Sequence, residues 1–191
     1  MCQTKTKVAV IGEFRAWGGR QRWSSIPQRA AAPAQTAEPE GTKQAMKLPS
    51  IVTIQVTDPL MAAVYALRRE VFVVEQHIPQ ELEVDEDDKI ATHVVAFLDG
   101  RVIATLRIVV QGRTAKIGRM AVAASSRKTG VGKRLMEFAE ASAEDCGLGK
   151  IVLGAQLTAC EFYRRFGYME EGPIFDDAGL PHVMMSKKLR A

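Results

Sequence analysis

The stretch from Lys116 to Gly132 constrains the possible fold of this chain more than any other part of it. An apolar run over residues 117–124 passes through a short polar turn into a glycine-containing segment, and helical spacing follows from Lys133 to Phe138. This pattern predicts a strand, a glycine turn and the start of a helix. The first turn of a helix has backbone N–H groups without intrahelical partners, and the helix dipole adds positive charge there. The stretch therefore predicts a phosphorylated ligand.

The residues of this turn, the phosphate loop (residues 127–133), suit a phosphate in two ways. Gly130 and Gly132 let the backbone approach the ligand, where a Cβ would obstruct it, and glycine adopts a positive φ easily. Basic side chains, with Arg134 of the helix among them, add charge. Neither the dinucleotide fingerprint G-x-G-x-x-G nor the P-loop pattern G-x-x-x-x-G-K-[ST] is present. The predicted phosphate-binding residues are Arg127, Lys128, Thr129, Gly130, Val131, Gly132 and Lys133.

Two motifs, which follow one another along the chain, resemble motifs of one known family. Residues 127–132, R-x-x-G-x-G, resemble the acyl-CoA pyrophosphate loop of the GNAT N-acetyltransferase superfamily. Residues 159–168, ACEFYRRFGY, resemble the A-x-x-F-Y-x-x-x-G-[FY] signature of the same superfamily. A longer resemblance, over residues 52–189, is to the ElaA/YjcF-like branch of bacterial GNAT proteins. It also rests on residues 69–76, 81–88, 91–93 and 179–185.

Apolar patterns elsewhere predict a mixed α/β fold class, with an α+β mixed sheet. Apolar runs predict strands at residues 51–56, 92–98, 102–110 and 150–154. Asp99-Gly100, between the second and third of these strands, predicts a type I′ hairpin turn. The resulting order, β-α-β-β-β-α-β-α-β-β, is the order of the GNAT acyl-CoA N-acyltransferase fold.

An amphipathic helix is predicted after the first strand. Asp58 supplies a capping carboxylate, and Pro59 suits the first helical position. Apolar residues then recur at three- and four-residue spacing, which predicts a helix packed on a sheet. These residues are Leu60, Val64, Leu67, Val71 and Val74.

The chain is predicted to comprise an N-terminal extension, residues 1–45, and a GNAT N-acetyltransferase domain, residues 46–191. The extension holds seven Lys or Arg against three Asp or Glu, whereas the domain holds nineteen of each. The neutral domain argues against nucleic-acid binding, because the net charge of +4 lies entirely in the extension. The composition of the extension predicts disorder. It is interpreted either as an organellar transit segment or as the product of a start codon assigned upstream of Met46.

Cysteine usage and hydropathy predict a reduced, cytoplasmic protein. Cys2, Cys146 and Cys160 are odd in number and have neither a CxxC pair nor metal-ligand spacing, so no metal is expected. No run of about 18 apolar residues occurs, so no membrane span is expected. The family resemblance implies that a homodimer would be usual.

The resemblance also implies a site for acetyl-CoA as cosubstrate. It places this ligand between the strand at 117–123 and the strand at 150–154, with the pyrophosphate on the phosphate loop. Gln156 occupies a position where many GNAT members carry an asparagine that contacts the ligand. The pantetheine amides are expected to pair with the backbone of Met120, Ala121 and Val122.

The implied reaction is direct attack of a neutral amine on the thioester. An amine with a pKa of about 10.4 arrives protonated, so a base is needed, and the departing thiolate needs an acid. Tyr163 matches the tyrosine general acid of the superfamily, and packing of its helix on the sheet is the alternative role. The motif strand contains no Asp, Glu or His, so the base is open. His182 and His93 are the leading candidates. Further candidates are His77, Glu75 and Glu83.

Residues 81–88, ELEVDEDD, carry six carboxylates in eight residues and form the acidic loop. One interpretation is a solvated loop. The other follows from the family resemblance, which implies that the loop borders the acceptor cleft, where it would attract a cationic amine. Both interpretations are compatible with the sequence.

The sequence as a whole predicts an N-acetyltransferase that acts on a small-molecule or peptide amine. An acyl-CoA-binding sensor or interaction module without turnover is the alternative, favoured by the missing strand carboxylate. Nucleic-acid binding through the basic extension is a third possibility. Cys160 is interpreted as a small buried residue, so direct transfer is favoured over a covalent acetyl-cysteine.

Overall fold

The computed structural model describes residues 48–190, so the predictions for residues 1–45 lie outside the part described. Within residues 48–190 the centre is a seven-stranded sheet, and the elements follow the predicted order β-α-β-β-β-α-β-α-β-β. The mixed α/β fold class is confirmed. The strands are β1 (Ser50–Ile54), β2 (Thr92–Leu98), β3 (Arg101–Gln111), β4 (Thr114–Val122), β5 (Lys150–Gln156), β6 (Met169–Asp177) and β7 (Leu180–Lys188). The helices are α1 (Met61–Arg68), α2 (Val131–Asp145) and α3 (Cys160–Arg164), and a π-helix (Arg69–Glu75) directly follows α1.

The two central strands of the sheet are parallel, whereas the other described pairs are antiparallel. The strand order is β1-β2-β3-β4-β5-β7-β6, and β4 and β5 are the parallel pair. Their pairing ends where Ile117 lies opposite Leu153. Beyond this point β4 continues to Val122 and β5 continues to Gln156, but the two strands no longer pair with each other. A gap therefore opens between their carboxyl ends.

Helices cover the sheet on both faces, but not along its whole width. α2 and α3 pack on one face and enclose the main core, while α1 and the π-helix lie over β3 and β4 on the other. Full burial of one side chain such as Leu135 stabilises the fold by about 2 kcal/mol. No helix among residues 48–190 has the length and apolar content to cross a membrane. The buried face of α2 has the expected helical spacing and comprises Val131, Leu135, Met136, Ala139 and Ala143.

The first helix differs from the prediction at both ends. It begins at Met61 rather than at Pro59, and Asp58 accepts a hydrogen bond from the backbone N–H of Leu60 at 2.8 Å in the preceding turn. At its other end the chain continues as the π-helix, in which each turn takes more residues. The α-helical phase is lost there, so Val74, predicted on the apolar face, is 47% exposed.

Two backbone features shape the strands around the gap. The predicted type I′ turn is confirmed, since Asp99 and Gly100 have φ values of 50° and 76°. β4 carries a bulge in which Arg119 and Met120 stand opposite one residue of β3, and Arg119 has φ 50°. The bulge directs Met120 towards the main core and Arg119 towards the opposite face.

Candidate active site

The gap between β4 and β5 forms the first part of the candidate site. β4 stays paired with β3 through Val122, but its other edge has no strand partner after Ile117 within residues 48–190. An unpaired strand edge can hydrogen-bond an extended ligand in the manner of an added strand. The three residues predicted to pair with the pantetheine amides all lie on this edge: Met120, Ala121 and Val122.

The phosphate loop follows this edge and ends in the first turn of α2. Gly130 is the N-cap residue and has φ 87°, so the predicted positive φ is confirmed. The N–H of Arg134 donates to the carbonyl oxygen of Gly130 at 3.1 Å. Among the described residues no side chain caps this turn, and none of its residues is acidic. The backbone N–H groups of Val131, Gly132 and Lys133 are therefore available to an anion.

Gly132 is helical, so the predicted positive φ is wrong at this position. A Cβ at this position would lie 3.3 Å from Met120 Cε, 3.7 Å from Val122 Cγ2 and 3.8 Å from Phe162 Cζ. The missing side chain thus lets α2 approach the unpaired edge of β4. It brings the helix N-terminus and the gap together.

Arg127 connects the phosphate loop to the π-helix. Its Nη2 lies 2.6 Å from Glu75 Oε2, and its Nε donates to the carbonyl oxygen of Val122 at 3.0 Å. The guanidinium therefore lies across the end of β4, and the Glu75 carboxylate is already in an ion pair.

The remaining polar side chains of the loop are more open. Lys128 is exposed, with φ 64°, and has no ion pair among the described residues. Lys133 forms an exposed pair with Glu137 at 3.5 Å. The Thr129 hydroxyl donates to the carbonyl oxygen of Ser126 at 2.7 Å, which helps to fix the loop. Two lysines are thus free to meet a ligand, since an exposed ion pair contributes little.

Tyr163 lies at the edge of the gap. α3 places its ring in the main core, 6.0 Å from the ring of Tyr168 and edge-on to that of Phe162. Its hydroxyl donates to Met120 Sδ at 3.5 Å. Burial raises the pKa of Tyr163 to about 12, so the hydroxyl keeps its proton at neutral pH.

His182 lies on β7, opposite Gln156 at the end of β5. Its neighbour Val183 packs in the main core, so alternation places His182 on the opposite face of the sheet. His182 Nδ1 is 2.8 Å from the carbonyl oxygen of Leu180, and we assign the ring proton to Nδ1 from this contact. Nε2 is then an acceptor, without a hydrogen-bond partner in the described part of the chain.

His93 does not belong to this site. It lies on β2, which β3 and β4 separate from the gap, and it is 0% exposed. Its Nε2 is 3.3 Å from the carbonyl oxygen of Asp88. Burial lowers its pKa, against the opposing effect of Asp88. Because no substrate can reach it, we assign His93 a structural role rather than the predicted role of a base.

The carboxyl end of the π-helix contacts both sides of the gap. The amide of Gln156 donates to Gln76 Oε1 at 2.8 Å, and the preceding Glu75 holds Arg127 as described. Gln156, at the position where the resemblance implied a contact with the ligand, therefore has a protein partner. The π-helix is joined to β5 and to the phosphate loop at once.

Arg68 of α1 holds the acidic loop through ion pairs, and its side chain is completely buried. Arg68 Nε contacts the Glu83 carboxylate, and its Nη1 lies 2.7 Å from Asp88 Oδ1. Burial alone would raise the pKa of Asp88, but the hydrogen bond and charge of Arg68, with Arg107, outweigh it and lower the pKa to about 2. Both carboxylates are therefore buried, and each has the Arg68 guanidinium as a partner. The interpretation of a solvated loop is wrong for Glu83 and Asp88.

Two further arginines neutralise the loop from the sheet. Arg107 of β3 pairs with Asp85 through both terminal nitrogens and with Asp88 at 3.0 Å. Arg119, in the β4 bulge, pairs with Asp85 at 3.0 Å and donates to the carbonyl oxygens of Leu82 and Glu83 at 2.9 Å each. Most of the negative charge predicted to attract an amine is therefore matched within the protein.

These three arginines were missed by the sequence analysis. One signal was available, because Arg107 interrupts the apolar strand 102–110, and a charge in such a strand is paired when it is buried. Nothing local indicated that its partners lie in the acidic loop, about 20 residues earlier in the chain.

The fold is shared with solved structures of N-acetyltransferases and related proteins. The chain aligns with a putative N-acetyltransferase from Lactobacillus plantarum at a TM-score of 0.69 and 30% identity, over 75% of this chain and 100% of that one. It aligns with Escherichia coli ElaA at a TM-score of 0.66 and 26% identity, over 73% and 99%. Within residues 48–190, no three His, Cys, Asp or Glu side chains are grouped so that they could hold a metal ion.

The family follows from the sequence comparisons. A family model described as an acetyltransferase (GNAT) domain matches residues 36–189. The Bacillus subtilis protein YjcF, named an uncharacterized N-acetyltransferase, is 36% identical over 124 residues, which cover 64% of this chain and 89% of that protein. The chain belongs to the GNAT acetyltransferase family and is an acyltransferase. The predicted resemblance to the ElaA/YjcF-like branch is confirmed.

Proposed function

We propose that this GNAT protein transfers an acetyl group from acetyl-CoA directly to the amine of a small-molecule or peptide acceptor. One observation carries the proposal: the Tyr163 hydroxyl lies 3.5 Å from Met120 Sδ, on the unpaired edge of β4. A protonated acid is thereby held beside the strand edge that would take the pantetheine arm. The same edge leads into the phosphate loop.

The residues around the gap fit acetyl-CoA in charge and in shape. Acetyl-CoA supplies the thioester from which the acetyl group departs. The N–H groups at the start of α2, together with Lys128, suit its pyrophosphate, and the backbone from Met120 to Val122 suits its amides. The bare Cα of Gly132 lets these two parts of the site lie next to each other.

Tyr163 and His182 flank the gap from opposite faces of the sheet and have complementary roles in the proposal. His182 Nε2 accepts the proton that the amine loses as the N–C bond forms. Tyr163 donates its hydroxyl proton to the sulfur as the C–S bond breaks. General acid and base catalysis of this kind typically contributes a factor of about 10² to 10⁴ in rate.

Direct transfer is favoured over an acyl-cysteine route because of the state of Cys160. This thiol is buried, and its Sγ donates to the carbonyl oxygen of Gln156 at 3.5 Å. Burial raises the pKa of Cys160, so the thiolate needed for nucleophilic attack is disfavoured at neutral pH.

The test compares two conservative tyrosine variants. Tyr163→Phe is expected to lower kcat about 100-fold, while calorimetric titration gives an unchanged Kd for acetyl-CoA. Tyr168→Phe is the matched control, because this buried ring adjoins Tyr163 but lies next to Glu140 of α2 rather than on the β4 edge.

His182→Gln should lower kcat at neutral pH, with recovery at higher pH where more of the amine is already neutral.

Equal loss of turnover in the two tyrosine variants would contradict the assignment of Tyr163 as the acid. The sensor alternative makes a different prediction. It requires that the wild-type chain binds acetyl-CoA and releases no CoA thiol in the presence of any amine.

A cytoplasmic location is also part of the proposal. Cys146 and Cys160 are free thiols, which suits a reducing compartment. Fractionation of cells that produce the native protein, followed by immunodetection, tests this location, and recovery outside the cytosolic fraction would contradict it.

A further inference from the structure

The sheet face opposite α2 and α3 is bare of helices over β7, β6 and β5 as far as Gly154, while Gln156 at the end of β5 contacts Gln76. Register places Gly154 opposite Met184 and Gln156 opposite His182, so these four residues share that face. α1 and the π-helix lie over β3 and β4 instead. A molecule can therefore approach Gly154 and Phe175 from this face without displacing a helix, whereas Gln76 borders the end of the gap at Gln156.

A phenyl ring lies on this bare face beside the gap. Phe175 of β6 is paired with His182, and the two rings stack with their centroids 5.8 Å apart and an angle of 28° between their planes. A Cβ on Gly154 would lie 3.6 Å from Phe175 Cζ. The ring thus spans β7 and reaches the backbone of β5. It is nevertheless 37% exposed, so part of it is open to a ligand.

A bulge in β6 accompanies this position of the ring. Glu171 pairs with Met184 and Phe175 pairs with His182, so three residues of β6 stand opposite one residue of β7. Gly172, within the bulge, has φ 79°. Insertions of this kind redirect the side chains next to them, often at binding sites.

Backbone without side chains borders the gap on both sides. Gly118 of β4 and Gly154 of β5 lie on the same face as the Phe175 ring. A Cβ on Gly118 would meet no atom within 4 Å, and one on Gly154 would meet only Phe175 and Met184 Sδ. A flat or branched apolar group can lie here against the ring.

The charges around the gap do not favour a polycation. Glu83, Asp85 and Asp88 of the acidic loop are paired with Arg68, Arg107 and Arg119, as described above. On the bare face, Glu171 is held by Lys150 at 3.1 Å and by the Ser186 hydroxyl. The recognition surface next to the gap is therefore apolar.

We infer that the acceptor is a primary amine carried by an aromatic or branched apolar group. That group lies on Phe175 over Gly154, and the amino group reaches the gap between β4 and β5. The inference rests on the proposed acetyl transfer and adds to it the chemical class of the acceptor. Phe175 determines specificity and takes no part in the bond changes.

The experiment uses the full chain and measures CoA release from acetyl-CoA with three probes: phenethylamine, isoamylamine and spermidine. The two apolar amines are expected to have a kcat/KM at least tenfold above that of spermidine. Phe175→Ala should raise the KM for phenethylamine about two- to tenfold, the range expected for a lost aromatic contact, and leave the KM for acetyl-CoA unchanged. Phe175→Tyr should retain the wild-type KM, because it keeps the ring.

Met169→Ala is the matched control, since Met169 is an exposed apolar residue of the same strand, opposite Ser186 and farther from the gap. It should leave every parameter unchanged. Preferred acetylation of spermidine, or an unchanged KM for phenethylamine in Phe175→Ala, would overturn the inference and leave acetyl transfer standing. If chains that bind acetyl-CoA acetylate none of the three amines but acetylate a polar or peptide amine, the inference falls and acetyl transfer stands, whereas no CoA release with any amine contradicts both.

Discussion

The phosphate loop, residues 127–133, and the acidic loop, residues 81–88, both lie against β4, and each carries several like charges. In the acidic loop the charge is matched internally, by Arg68, Arg107 and Arg119. In the phosphate loop Lys128 is exposed and unpaired within the described residues, and the backbone N–H groups of the α2 terminus have no side-chain cap. The acidic loop holds the fold together, and the phosphate loop is open to a ligand.

The comparison teaches that charge density in a sequence does not distinguish structural from binding roles. What separates the two loops is where their partners lie. The phosphate loop depends on backbone geometry within a few residues, whereas the acidic loop depends on arginines brought in from α1, β3 and β4. Variants that remove a charge from one loop, or add one to the other, can test whether the two loops have these different roles.

The largest effect is expected from Arg68→Met. The substitution leaves Glu83 and Asp88 buried without their main partner, and breaking a buried ion pair in this way costs about 3 to 5 kcal/mol. The free energy of unfolding from urea titration measures the loss. Lys128→Met, which removes a charge from the phosphate loop, is the control and should change stability by less than about 0.5 kcal/mol. Similar losses in both variants would remove the distinction between the loops.

The next effect is on ligand binding. Gly130→Glu puts a carboxylate at the N-terminus of α2 and a side chain at φ 87°. Repulsion of the pyrophosphate should weaken acetyl-CoA binding about 100-fold, equivalent to about 2.7 kcal/mol. Calorimetric titration measures the Kd.

The control for this variant is Gly112→Glu, in the turn between β3 and β4. Gly112 also has a positive φ, of 59°, so the control introduces the same side chain into a similar backbone conformation away from α2. Its affinity for acetyl-CoA should stay within threefold of the wild type. A comparable loss of affinity there would mean that backbone strain, rather than an anion site, explains the first variant.

The smallest of the three effects concerns pH. The folded pKa of Asp88, about 2, lies below its ordinary value of 3.8, so its contribution to stability is fully present above pH 3.8. That contribution, about 2 kcal/mol, should be lost as the pH falls from about 5 through 2. Urea titrations across this range measure it.

The Asp88→Asn variant should be less stable than the wild type at neutral pH, and it has no carboxyl group at position 88 to take up a proton. Its free energy of unfolding should therefore fall less steeply between about pH 5 and pH 2 than that of the wild type. Parallel curves for the two proteins would show that Asp88 does not carry the acid sensitivity of the acidic loop.

Local patterns predicted the fold and half of the site. The strand, Gly130 turn and helix are contiguous, so sequence spacing alone places the N–H groups at the start of α2. The predicted order of strands and helices along the chain matches the order of the resembled family, and the structure confirms it. The exposure of Val74 was missed, because a change from α-helical to π-helical winding leaves no mark in the apolar spacing that precedes it.

The other half of the site depends on contacts between distant residues. Phe175 reaches Gly154 across an intervening strand and directly follows the β6 bulge, which a sequence pattern does not reveal. His93 and His182 both lie on predicted strands, yet one is fully buried and the other borders the gap. Only the tertiary register distinguishes them.

The β6 bulge also bears on how the protein behaves at high concentration. β6 is the last strand of the sheet, so one side of its backbone faces away from the other strands. Pro173, inside the bulge, has no N–H to donate, and the bulge interrupts the regular spacing of the remaining groups. A second chain cannot extend the sheet along this edge as a continuous ladder. The β6 bulge next to Phe175 therefore also protects the molecule against edge-to-edge aggregation.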